Sequence, residues 1–433
     1  MNRNLKLLFI FIFITSCSFT SKSKFWTNSE IIEEKQENIE EIFKKDKTLN
    51  LELNPTIEIN FSSKTTNQKN IGNFNNNAGR VEYQGNLKSI SKFKFSRIKN
   101  FYQHDPKISF NNNNIIFFDD KGSIIKFDNN SNLIWKKNFY SKLEKKQKPI
   151  LFFANDNKTL IVTDNIAKYY AINIDNGNLL WSKNNSAPFN SQIKIHKDKF
   201  FVIDLENILR AYSIKNGEEI WNVKTENSFI KSQKKLSIVI NDKKIYFNNS
   251  LGDISSVNID TGELIWQTPT QNTLYYDETF FLKTSEIIAD KKTLYFSNNK
   301  NQFFALDLIT GRINWQQKIN SNLRPTLVEN YIFTVSLEGY FIVIEKTTGN
   351  IIRISDIFNN IKPKKRLKIK PTGFVMGSNN IYLTTDHGRL LVIETKSGLI
   401  KKMLKIDNKK ILRPSILDQN LFIITNNAII KLN

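Results

Sequence analysis

A short recurring phrase constrains the fold of this chain more than any other feature. Its clearest copy is NIDTGELIW, ending at Trp266. Related copies are NIDNGNLLW ending at Trp181, SIKNGEEIW ending at Trp221 and LDLITGRINW ending at Trp315. In each, a glycine stands four residues before the tryptophan: Gly177, Gly217, Gly262 and Gly311. Worn copies keep the frame. Ser131 takes the glycine place before Trp135, Gly349 precedes Arg353, and Gly398 precedes Lys402. The anchors at 135, 181, 221, 266, 315, 353 and 402 are 46, 40, 45, 49, 38 and 49 residues apart. A period of about 45 residues is the signature of a repeat architecture.

The phrase reads as a β-hairpin. Alternating residues such as Tyr170, Ile172 and Ile174 precede the turn. Thr-Gly or Asn-Gly makes the turn, because both glycine and asparagine tolerate positive φ. A short apolar strand then ends in tryptophan. Upstream of each hairpin lies a β-branched or aromatic run: 200–204, 244–248, 293–297, 331–335 and 381–385. The stretch 236–240 implies a fourth strand per unit. Four short strands in about 45 residues is the pattern of a propeller blade.

Seven hairpins are counted. Residues 421–433 add an upstream strand and a first hairpin strand of an eighth unit, without its outer strand. An unpaired edge is a liability that a closed ring removes. The alternating stretch 80–95 is expected to supply the missing strand. The reading is an all-β, eight-bladed propeller of four-stranded antiparallel blades over 80–433, with seven blades as the alternative.

Before the ring, Arg3 and Lys6 precede an apolar run from Leu7 to Ile14. Eight residues are too few to span a bilayer, which takes about 20, and residues 1–16 fit an export signal. Ile14-Thr15-Ser16-Cys17 follows and resembles a bacterial lipoprotein cleavage site. Cys17 is the only cysteine, so no internal disulfide can form, and its thiol is the expected lipid attachment point. By resemblance to lipoprotein sorting, Ser18 in place of Asp favours the outer membrane. Residues 17–79 read as a tether with a candidate amphipathic helix at 30–45. The tract 62–79 is too polar to bury a core and reads as a linker.

The net charge of +22 and pI near 9.6 invite a nucleic-acid reading. Three observations argue against it: the positive charge is spread along the chain, no nucleic-acid motif appears, and an export signal is present. The abundance of Lys, Asn and Ile also fits an AT-rich genome. The densest basic cluster, 361–370, reads as an insertion between the sixth and seventh units: a solvated loop, or a contact for acidic headgroups or an acidic partner. His104, His196 and His387 lack partners at metal-ligand spacing, and no HExxH or GxSxG occurs.

The repeated Thr-Gly-x-x-x-Trp unit resembles the PQQ-like propeller family. That family includes quinoprotein dehydrogenases and outer-membrane assembly lipoproteins of the BamB type. A dehydrogenase would imply a calcium-held quinone, an aspartate base and paired cysteines, and Cys17 cannot supply that pair. The repeat tryptophans are expected to pack between blades. The lipoprotein resemblance fits more of the chain and implies a scaffold without catalytic residues, cofactor or metal. It also implies partners: the barrel-inserting subunit BamA and nascent outer-membrane proteins. A Leu-Arg loop element contacts that subunit in the family, and Leu323 and Arg324 match it in part, with Ser321 replacing a leucine. Asp356 is the candidate for the family's acidic contact. A PQQ-dependent dehydrogenase or ligand-binding propeller is the alternative.

Overall fold

Strands form where β-branched and aromatic residues cluster, and the turns between them fall on Asn, Asp and Gly. The computed structural model describes residues 51–433 except 63, 66–73, 100, 226–230, 232–233 and 272–280. The export signal, Cys17 and the candidate helix at 30–45 lie outside the described residues. Those described belong to one compact unit, Thr48–Asn433.

Eight four-stranded antiparallel sheets make an eight-bladed propeller. In blade 1 the strands run Ser109–Asn111, Asn114–Phe118, Ile124–Phe127 and Leu133–Lys137, from innermost to outermost. Blades 2 to 7 repeat this order along the chain. Blade 8 takes Ser415–Leu417, Asn420–Ile424 and Ala428–Leu432 from the far end of the sequence. Its outer strand is Ser89–Lys94, with Lys92 opposite Ile430 and Phe93 opposite Ile429. The ring closes as the strand count requires, and the seven-blade alternative falls.

Within each blade the two middle strands are buried on both faces, as in Thr293–Asn298 and Gln302–Asp307. Neighbouring blades stack on both sides of them, so these strands carry nearly continuous apolar runs. Outer strands such as Leu179–Asn184 alternate between half-buried and exposed positions.

The hairpin phrase has one geometry in blades 2 to 7, and the turn of blade 1 is a residue shorter, with the Ser131 amide donating to the Asp128 carbonyl at 3.2 Å. In blade 3 the Gly217 amide donates to the Ser213 carbonyl at 2.9 Å, and the Ser213 amide donates to Glu218 at 2.9 Å. Gly217 has φ +70, and a bulge falls between Ala211 and Tyr212 in the adjoining ladder. Ser131 adopts the same conformation at φ 71. The tryptophans lie between blades. Trp135, Trp181, Trp266 and Trp315 donate their indole N–H to the carbonyls of Ile174, Ile214, Leu308 and Lys346 in the following blade. Trp221 packs on Gly262 of the next blade, but its N–H has no hydrogen-bond partner.

The expectation that 62–79 is a linker is corrected at its end. Asn76 is 4% exposed. The Phe74 and Asn75 carbonyls accept from the Ile240 and Ala289 amides at 3.0 Å each. Asn76 Nδ2 donates to the carbonyls of Ile238 and Ile287 at 3.0 and 2.9 Å. Asn77 Oδ1 accepts from the Leu327 amide at 3.0 Å. The physical reason is the inner edge of each blade, a row of unpaired N–H and C=O groups. Asparagine carries both a donor and an acceptor and can satisfy such an edge. The polarity that suggested a linker is what lets this segment line the ring's interior. Farther upstream, Leu53 pairs with Ile354 on the outer edge of blade 6, and Ile59 is buried.

Candidate functional site at the channel mouth

The innermost strand of each blade follows the outer strand of the blade before it. All these connections therefore open on one face, around the central channel of the propeller. Charged residues recur at these entries. Lys107 precedes Ser109–Asn111 of blade 1, and Lys194 opens Lys194–His196 of blade 3. Lys235 precedes Ile238–Asn241 of blade 4, and Glu286 precedes Ile288–Ala289 of blade 5. Arg324 precedes Thr326–Val328 of blade 6.

Glu286 is the hub. Its Oε1 lies 2.5 Å from Lys107 Nζ and its Oε2 3.1 Å from Arg324 Nη1. Lys235 Nζ sits 5.3 Å above the Phe152 ring of blade 2. Lys194 Nζ donates to Asn76 Oδ1 at 2.6 Å, which ties the site to the segment crossing the interior. Burial pushes Lys194 down to about 7, against the opposing pull of Glu286. Burial would raise the Glu286 carboxyl, but Lys107, Arg324 and Lys235 outweigh it and hold the group well below the usual carboxylate range. Nearby, Lys410 pairs with Asp105 at 3.0 Å, Lys234 donates to the Asn322 carbonyl, and burial lowers His104. Charges this close in a confined site can bind and orient an ion of opposite sign.

The sequence-derived contact residues do not form one surface. Leu323 is 3% exposed and belongs to the apolar core between blades, so its expected role as a partner contact is corrected: the side chain has no surface to offer. Arg324 reaches the channel mouth and is held by Glu286. Asp356 ends the outer strand of the same blade, with two strands between it and the inner one. It accepts from Arg366 Nη1 at 2.5 Å. That bond fixes the short helix Pro363–Arg366 of the basic insertion, whose guanidinium also lies 5.0 Å from the Tyr340 ring. His196 is in a strand edge-on to Phe74, and His387 pairs with Asp386 in a turn. On the opposite face, Asn75, Asn77, Asp290 and Lys346 line a cavity of about 320 Å³, where Lys346 and Asp290 pair at 3.1 Å.

Glu286, Lys107, Lys194 and Lys235 were not singled out from sequence. Their signal is positional: a charge within three residues of the start of an inner strand, repeated from blade to blade.

Known proteins agree with this architecture. A sequence profile of the family described as outer membrane protein assembly factor BamB matches residues 120–355. No curated protein sequence matches the chain. Among solved structures, BamB from Moraxella catarrhalis is similar at TM-score 0.66 and 14% identity, over 80% of this chain and 99% of that one. The quinohemoprotein alcohol dehydrogenase from Comamonas testosteroni is similar at TM-score 0.62 and 11% identity, over 85% and 78%. The C-terminal WD40 domain of Sif2 is similar at TM-score 0.59 and 12% identity, over 82% and 99%. At these identities the likenesses establish the propeller and leave function to the sites. The family profile covers more than half of the 433 residues, and the chain belongs to the BamB family of PQQ-like repeat propellers.

Proposed function

We propose that this chain is a non-enzymatic scaffold of the machinery that inserts β-barrels into the outer membrane. It binds the barrel-inserting subunit BamA and assists nascent outer-membrane proteins. Lipid on Cys17 holds it at the periplasmic face of the outer membrane. The observation that supports this reading best is membership of the BamB family over residues 120–355. The mouth face offers Arg324, whose planar guanidinium suits a carboxylate partner, and Asp356 lies at the outer end of the same blade.

The test is co-purification with BamA from membranes, alongside porin levels in a strain lacking the gene. Arg324→Ala is expected to lower BamA recovery while the ring keeps its β circular dichroism. Cys17→Ser is expected to move the protein from the membrane fraction to the soluble one. Normal porin levels in the deletion strain, with no BamA recovered alongside the native protein, would sink the reading.

A further inference from the structure

The charge cluster sits on the ring axis. Lys107 comes from blade 1 and Glu286 from blade 5, which face each other across an eight-bladed ring, and their side chains meet at 2.5 Å. Arg324 from blade 6 joins them. Lys235 and Lys194, from blades 4 and 3, act on the same carboxylate. Lys234, beside Lys235, feels it too, so five cations from four blades gather around Glu286, with Asp105 acting on Lys234 and Lys235.

A purely structural cross-tie has no need of this arrangement. One acid and one base would tie two blades, and a neutral or apolar set would close the axis at lower desolvation cost. Gathering four further cations adds like-charge repulsion in a confined place. Solvent reaches the site, since the Lys107 side chain is 42% exposed. The interior beneath is crossed by Phe74 to Asn77, and Lys194 holds Asn76 there. A ligand would enter from the mouth and stop at that segment.

We infer that the channel mouth is a receptor site for a small, multiply charged anion bearing carboxylate or phosphate groups. Lys107, Lys235 and Arg324 would bind it, with Lys194 at the floor. Glu286 occupies the cations in the free protein and competes with the ligand. Lys194 is held near 7 by burial, and an incoming anion raises it, so binding takes up a proton near neutral pH.

The test is calorimetric titration of the purified full chain with citrate and, separately, inorganic phosphate. Each is run in two buffers of different ionisation enthalpy, at pH 7 and pH 9. The expected result is one saturable site with net proton uptake at pH 7 and weaker binding at pH 9. Saturation by citrate alone assigns a carboxylate ligand, and by phosphate alone a phosphate ligand. Lys107→Gln and Arg324→Gln should each weaken binding about tenfold, while Glu286→Gln should tighten it by a similar factor. If Glu286→Gln folds poorly, its melting temperature should rise with the anion more than that of the native chain. Absence of saturable heat with both anions in the native chain and in folded Glu286→Gln overturns the inference. So does binding that Lys107→Gln and Arg324→Gln leave unchanged. BamA recovery is scored separately, so failure of the scaffold reading does not decide this result.

Discussion

The indole of Trp181 rests on Gly217 of the following blade, so closely that a Cβ at Gly217 would fall 2.6 Å from its Cζ3. The relation recurs for Trp135 on Gly177, Trp221 on Gly262, Trp266 on Gly311 and Trp315 on Gly349. The glycine of each phrase therefore serves the tryptophan of the phrase before it, as well as its own turn. This explains the worn first copy. Ser131 belongs to blade 1, and the blade before it is blade 8, whose outer strand Ser89–Lys94 has no tryptophan. A side chain is tolerated there because no indole needs the space.

Gly217→Ala combines a disfavoured positive φ with an indole in the way. It should cost about 2–4 kcal/mol, read as a lower denaturant midpoint. Ser131→Gly should change stability by no more than about 1 kcal/mol, since relief of positive φ offsets the gain in unfolded-chain entropy. Equal losses at both positions would refute the paired role of the glycines.

Arg353 stands where earlier blades place tryptophan, and it is fully buried. Its Nη2 donates to the Thr395 carbonyl at 3.0 Å, matching the indole bonds of earlier blades, and its Nη1 donates to Ile57 at 2.9 Å. Burial lowers its pKa to about 10, so it remains charged at neutral pH. Arg353→Ala should cost about 3 kcal/mol or more, because several carbonyls lose a charged donor. Arg353→Trp should recover part of that through contact with Gly398. Limited proteolysis should then show faster cleavage within 51–61, because the bond to Ile57 is not restored.

Ring closure depends on Ser89–Lys94 pairing with Ala428–Leu432. A chain starting at residue 51 should remain monomeric by light scattering. A chain starting at residue 96 leaves the edge of Ala428–Leu432 unpaired and should aggregate or form strand-exchanged oligomers. Monomeric behaviour of the shorter chain, with an unchanged melting temperature, would count against closure as the stabilising element.

Lys194 sets a pH dependence. Burial lowers it to about 7 in the folded state, against an ordinary value of 10.5. Below pH 7 it is charged in the folded and unfolded states, and its burial penalty is fully present. Between about 7 and 10.5 the unfolded chain binds a proton that the folded chain does not, so stability from this group rises with pH. Urea midpoints at pH 6.5, 8 and 9.5 should show this rise in the native chain, flattened in the Lys194→Gln variant. Parallel curves would refute it.

The sequence by itself determined the ring. A glycine four residues before a tryptophan at steps near 45, together with β-branched runs, specifies hairpins and blades, because turn chemistry and strand burial are local properties, while the choice of eight blades over seven came with the pairing of Ser89–Lys94 and Ala428–Leu432. It also placed the closing strand, through the missing edge of the last unit. Tertiary structure alone decided what meets on the axis. Lys107 and Glu286 are 179 positions apart in the chain and touch only because blades 1 and 5 face each other. Closure likewise turned the polar stretch around Asn76 from an apparent linker into a partner for unpaired strand edges, and it drew Leu323 into the core beside an Arg324 held at the axis by Glu286. Such contacts depend on how distant repeats are arranged in space, and no local pattern encodes that.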